Sequence, residues 1–180
     1  MLSIPILTAY SVVQNIPAGS TSFDFAAVRA FSRLSHVWLT FRNEGGRSSS
    51  FICPTTIANN TGATPLLSDA GPSARLSIGP HYWPDPQPVS TITEHFYQFQ
   101  KALPGVPNIT RDNFQTNAFT IVWDVRKVPS DPTSAISTRS GDLLRIELKN
   151  LTAGVATECY LTLFAFSVCA IRENGVTLLT

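Results

Sequence analysis

Three histidines, His36, His81 and His95, are the residues of this chain best suited to proton transfer or metal binding, and their spacing favours neither. None follows another, or a cysteine, at the short intervals by which a turn or helix brings two ligands to one ion. Glu94 and His95, with Asp85 close by in sequence, have the right types for an acid–base group, because a carboxylate can fix the tautomer of an imidazole. Consecutive residues of a helix, however, point apart. Asp142 and Glu147 would lie on opposite faces of an extended strand, which removes them as a carboxylate pair. Ser140 sits in Arg139-Ser140-Gly141-Asp142, which lacks the G-x-S-x-G elbow of a hydrolase nucleophile and reads as a hairpin turn. Cys53, Cys159 and Cys169 are odd in number, and the last two would stand about 33 Å apart on one straight strand, too far to pair. They read as packing residues of a reducing compartment. The sequence thus predicts no catalytic residue, no metal ligand and no cofactor.

The remaining candidate is a cluster for contact. His81, Tyr82 and Trp83 precede Pro84, Pro86 and Pro88, and each proline fixes its own φ, so the segment is stiff and cannot be a helix or a central strand. Aromatic side chains on a stiff segment bind a partner at small entropic cost. Tyr82, Trp83 and Pro84 are therefore predicted to touch a neighbouring subunit or a sugar, and capping one end of a core is the competing reading. Asn59, Asn108 and Asn150 each open an N-x-Ser/Thr triplet, and with no secretory leader recognised they are expected to be unmodified.

The elements that position these residues are mostly strands. Asn117–Val125 places Phe119, Ile121, Trp123 and Val125 on one face, which predicts a half-buried strand, and Leu143–Lys149 alternates in the same way. Cys159–Ile171 is apolar on both faces, the signature of a central strand, and a short terminal strand follows it. Upstream, Met1–Val13 reads as an edge segment interrupted by Pro5, Asn15–Thr21 as a turn, and Ser22–Val28 and Leu34–Phe41 as strands. In Leu34–Phe41, Val37, Leu39 and Phe41 share one face, with Leu34, His36 and Trp38 opposite. Phe51–Gly71 lacks periodicity and reads as a long loop with a brief strand at most, and Arg75–Ile78 as a short strand. Ser90–Leu103 is the one helix, because Ile92, Phe96, Phe99 and Leu103 recur at helical spacing, with Ser90 or Thr91 as cap and Pro104-Gly105 as stop.

Many short strands with Gly and Pro turns and one helix predict an antiparallel β-sandwich rather than a parallel βαβ fold. At 180 residues the chain fits a single domain spanning 1–180. Charged residues are only 14% of it, against roughly 25% in an average soluble domain, so its surface expects to be covered by partners. The net charge is +1 and the first basic residue is Arg29, so no basic amino-terminal arm is present to neutralise phosphates and no direct contact with nucleic acid is expected. No apolar run is long enough to cross a bilayer as a helix.

The carboxy-terminal order FTIVWDV (Phe119–Val125), ISTRSGD (Ile136–Asp142), LLRIELKNL (Leu143–Leu151), Cys159–Ile171 and GVTLL (Gly175–Leu179) resembles the last strands of viral jelly-roll coat proteins. It is most similar to the second jelly roll of the double-jelly-roll major capsid proteins of double-stranded DNA viruses. Gln14–Ser20, Phe23–Phe25 and RAFSRLSHVWLTF (Arg29–Phe41) resemble the opening strands of that domain, and TEHFYQFQKAL (Thr93–Leu103) falls where such domains carry a helix. The resemblance implies a jelly-roll sandwich of two four-stranded sheets with one short inserted helix. It also implies a structural, non-enzymatic subunit that assembles as trimers of pseudo-hexagonal outline in an icosahedral shell, with itself and neighbouring capsid proteins as partners. Such a protein would reside in the virion after assembly in the host cell interior. A chain of this length holds one jelly roll, either a separated carboxy-terminal domain or a coat protein with a single one. Subunit contacts are then expected in Phe51–Gly71, in His81–Pro88 with Tyr82, Trp83 and Pro84, and in Lys127–Arg139, ending at Arg139. The alternative is a carbohydrate-binding β-sandwich using Trp38, Tyr82 and Trp83 as stacking platforms.

Overall fold

A computed structural model of the chain describes residues 2–43, 69–103, 109–128, 131, 134–138, 143–151, 156–172 and 175–179, the last stretch as backbone. Its strands are β1 (Leu2–Ile16), β2 (Ser22–Ala27), β3 (Leu34–Asn43), β4 (Ala70–Ile78), β5 (His81–Trp83), β6 (Val89–Thr91), β7 (Thr120–Asp124), β8 (Leu144–Lys149), β9 (Thr157–Arg172) and β10 (Gly175–Leu179). Two helices, α1 (Ile92–Ala102) and α2 (Arg111–Asn117), lie between β6 and β7. Every strand pairing is antiparallel, and the pairs are nested: β1 with β9, β2 with β8, β3 with β7 and β4 with β6. The first half of the chain therefore runs as a ribbon against the second, folded over into two layers. That is a jelly roll. One sheet has the order β1-β9-β3-β7 with β10 added on β9, and the other β2-β8-β4-β5 with β6 added on β4. Each is the predicted four-strand layer extended by one short strand.

The inner faces follow from alternation. Phe25 and Ala27 of β2, Leu76 and Ile78 of β4, and Leu144, Ile146 and Leu148 of β8 meet Val37, Leu39 and Phe41 of β3 and Cys159, Leu161 and Leu163 of β9 in one buried core. β9 is the central strand expected, with β1 along one side over fifteen residue pairs and β3 and β10 along the other. The desolvation that buries the Cys159 thiol pushes its pKa up, so the thiol is inert packing.

Four sequence expectations are corrected. Leu34 does not share the outward face of His36 and Trp38: a bulge between Leu34 and His36 turns it into the core, fully buried opposite Ala165. β1 continues to Ile16, into the segment read as a turn, because Asn15 and Ile16 still pair with Glu158 and Thr157. β7 is buried on both faces rather than one, since α1 packs against it. Among the described residues there are two helices, not one, and Asn117 ends α2 instead of opening a strand. α2 escapes a periodicity search because a seven-residue helix with Phe114 as its single apolar side chain has no repeat to detect. Tertiary burial of Phe114 and an N-cap from Thr110 to the Asn113 N–H hold it instead.

Thr91 is the cap of α1: its hydroxyl accepts from the Glu94 N–H at 3.2 Å, and the Glu94 carboxylate accepts from the Thr91 N–H at 3.2 Å and the Ser90 N–H at 3.1 Å. This reciprocal box satisfies donors that the first helical turn leaves open. Thr91→Ala is expected to cost about 1 kcal/mol of stability, read as a lower urea midpoint with an unchanged slope, and Thr91→Ser to cost far less. Equal midpoints for the alanine variant and the wild type would show that the cap is idle. Pro104-Gly105 and most of the Phe51–Gly71 stretch lie outside the described residues.

Candidate functional site

β4 and β5 form a hairpin closed by Gly79 and Pro80, and the turn needs the φ of +56° at Gly79. Register then separates the aromatic residues of the contact cluster. Tyr82 stands opposite Ser77 on the outer face of the second sheet, whereas Trp83 stands opposite Leu76 and packs, half-buried, against the core. Within the cluster, Trp83 packs partly buried against the core and Tyr82 faces outward. The Arg75 guanidinium lies 4.2 Å from the centre of the Tyr82 ring and donates to the Pro86 carbonyl at 3.0 Å, so one side chain fastens both the edge strand and the proline segment.

Beyond Trp83, Pro84 borders an open groove of about 520 Å³ whose other wall is α1, with Gln87, Pro88, Thr93, Tyr97 and Gln98 among its lining. Tyr97 is exposed in it. The groove holds no catalytic pair. Glu94, which also lines it, is occupied as the capping carboxylate, and the N–H of Ser90 foremost holds its pKa below the usual value. His95 points the other way, into the core, where its Nε2 donates to the Pro72 carbonyl at 2.8 Å and its ring meets Phe119 edge-on at 5.5 Å. Gly71 allows that approach, since a Cβ there would lie 3.3 Å from His95 Cδ2. Of the predicted contact residues, the structure brings Tyr82, Trp83 and Pro84 together at this edge. Arg139 lies outside the described residues; its neighbour Thr138 is buried and accepts from the Phe31 N–H at 2.8 Å.

A polar cluster that sequence reasoning missed lies on the first sheet. The β3–β7 register sets His36 directly opposite Asp124, with Nε2 3.9 Å from Oδ1. Burial lowers the His36 pKa more than Asp124 raises it, so the ring is neutral near pH 7. Asp124 is held in two bonds of 2.9 and 2.7 Å by Arg126; burial pushes its pKa up, but Arg126 outweighs that and the net shift is downward. Ser35 completes a serine–histidine–aspartate sequence of contacts, 3.1 Å from His36 Nδ1. It cannot act as a nucleophile on a substrate: it is fully buried and its hydroxyl donates to the Phe164 carbonyl at 3.0 Å. The cluster braces three strands. Both strands were legible, but their pairing across some ninety residues of sequence was not. Among the described residues no three His, Cys, Asp or Glu side chains converge as metal ligands, and no helix is long and apolar enough to cross a membrane.

The three proposed sugar platforms do not share a site, because Trp38 is on the first sheet and Tyr82 and Trp83 are on the second. Asn150 takes a φ of +59° at the end of β8, a left-handed conformation that asparagine tolerates well.

No family model matches the chain, and no curated protein is similar to it in sequence. Among solved structures, the fold is similar to a chain of the quasi-atomic model of the PBCV-1 virus capsid, with a TM-score of 0.51 and 12% identity over 98% of this chain. It is likewise similar to PBCV-1 VP54 as fitted into a cryo-EM reconstruction of the virophage Sputnik, with a TM-score of 0.52 and 12% identity. The chain spans about half of each, 51% of their length. At such identity the likeness is one of fold: this chain's jelly roll is similar to that of those capsid chains.

Proposed function

We propose that this protein is a structural subunit of a viral shell, a single jelly roll folding over residues 1–180 that self-associates, as trimers, into an icosahedral capsid. The observation that carries the reading is the similarity in fold to a capsid chain over 98% of this sequence, with a TM-score of 0.51. The role is mechanical rather than enzymatic, in keeping with the capping Glu94, the core-facing His95 and the occluded Ser35. The partners are further copies of this chain and neighbouring capsid proteins, the place is the virion, and assembly takes place in the host cell interior. Nucleic acid is not a direct partner: the net charge is +1, and on the second sheet, among the described residues, Arg145 is paired with Asp24 at 2.9 Å. Tyr82, Trp83, Pro84 and Arg139 are the contact residues of this reading.

Electron microscopy and sedimentation of the purified chain at rising concentration test it. Trimers or closed particles are expected. A monomer at every concentration, with glycan affinity that Trp83→Ala abolishes, would establish the carbohydrate-binding reading instead.

A further inference from the structure

The two outermost layers of the sandwich are unlike. The outer face of the second sheet is charged, with Asp24, Arg145, Glu147 and Arg75 in cross-strand register. The first sheet ends in β1, whose fifteen residues, LSIPILTAYSVVQNI, include no charged side chain. Leu7 is 52% exposed and Val13 49%, and Ile4 and Ile6 of the same strand are exposed as well. Among the described residues β1 pairs only with β9, in fifteen consecutive pairs without a bulge, so its other edge offers a long row of N–H and C=O groups. Chains that remain monomeric blunt such an edge with lysine, proline, inward charges, bulges, brevity or a covering segment. Of these β1 has Pro5 near one end, and the eleven residues after it carry no charge and no bulge.

A polar feature adjoins the strip. The Arg29 guanidinium lies 3.9 Å from the centre of the Tyr10 ring and 5.6 Å from that of Phe31, over a cleft of about 180 Å³ that Thr8 and Ser167 also line. None of the described carboxylates pairs with it, and Val28 beside it is 89% exposed.

We propose that the outer edge of β1, with Leu7 and Val13 as its apolar contacts and Arg29 as a receptor for a carboxylate at its rim, is the surface on which a second copy of this chain docks. The inference rests on the shell-subunit reading and assigns it a surface. Area favours a protein of this size as the occupant. Fifteen strand residues extend about 50 Å, long enough for an edge contact of the standard specific size, roughly 800 Å² per partner. Chemistry disfavours polyanionic partners: a strand of fifteen residues without lysine or arginine has no charge of its own to neutralise the phosphates of a nucleic acid or an anionic membrane.

Sedimentation velocity of the full chain across a wide concentration range, with light scattering, tests this surface. Leu7→Asp/Val13→Asp is expected to raise the concentration of half-association at least about tenfold. Ala9→Lys, a single gatekeeper charge on the exposed face of the same strand, should shift it in the same direction, and Asp24→Asn on the opposite sheet should not. Thermal melts confirm that each variant is folded; because the substituted side chains are exposed, Ala9→Lys keeps the test open if the double variant fails to fold. Assembly of folded β1 variants at the wild-type concentration would overturn the surface and leave the shell reading standing. A wild-type chain that stays monomeric overturns both, and a monomer that instead floats with neutral phosphatidylcholine vesicles would show the strip to be a lipid contact.

Discussion

Phe119→Ala lowers the midpoint of thermal unfolding by roughly 10 °C. Phe119 is fully buried just outside β7, where both helices meet the first sheet. Its ring lies 5.4 Å from Phe114 of α2, 5.5 Å from His95 of α1 and 6.3 Å from Phe41 of β3. Truncating a buried phenylalanine costs about 3–5 kcal/mol, from lost transfer energy and the cavity left behind. For a chain of this size each kcal/mol moves the midpoint by about 2–4 °C. Little can relax into the space, since the neighbours belong to three elements fixed by other contacts. Phe119→Leu should lose less than half as much, and Tyr97→Ala, an exposed aromatic on the same helix layer, should fall within about 0.5 kcal/mol of wild type. Comparable midpoints for Phe119→Ala and Tyr97→Ala would refute the claim that this aromatic junction anchors the helices.

Acidification from pH 7 to pH 5 destabilises the fold by about 2 kcal/mol through His95 alone. Burial lowers the pKa of His95 from 6.5 to about 4, against the smaller opposing effects of the Pro72 carbonyl and Glu94. In the folded chain the ring is neutral and donates from Nε2; in the unfolded chain it takes up a proton as the pH falls below about 6.5. Between those values the unfolded state binds more protons, so stability is full above pH 6.5 and is lost progressively as the pH falls towards 4. The lowered pKa of His36 acts in the same direction. The lowered carboxylates, Asp69, Glu94 and Asp124, lose their contributions at and below their own ordinary values, under the span from pH 7 to pH 5. Urea denaturation at pH 7 and pH 5 of wild type and His95→Gln isolates the effect: the variant should be less stable at pH 7 but flatter by about 2 kcal/mol. Parallel pH profiles would show that His95 does not titrate with unfolding.

What was legible in the sequence follows from short-range physics. Alternation in Leu143–Lys149, double-sided apolarity in Cys159–Ile171 and the three-and-four spacing from Ile92 to Leu103 each report a local periodicity against one core, and each produced the expected element. The capping residue of α1 and the stiffness of His81–Pro88 came from backbone chemistry in the same way. The many short strands pointed to an antiparallel sandwich, and the resemblance to viral coat proteins to a jelly roll.

The remainder needed pairings between distant segments, and there local patterns are silent. The bulge that turns Leu34 inward exists because β3 must fit both β7 and β9, a constraint no single strand carries. α2 is a helix because Phe114 has a pocket to fill, and His36 meets Asp124 because two strands eighty-odd residues apart share a register. That Trp83 points inward while Tyr82 points outward is decided by the hairpin pairing with β4. The sequence by itself determined which stretches are ribbons and that they close around an apolar middle, because alternation is a property of a few consecutive side chains. Which edge lies unpaired among the described residues was set by the long-range pairings, since an edge is defined by the strand that is not beside it.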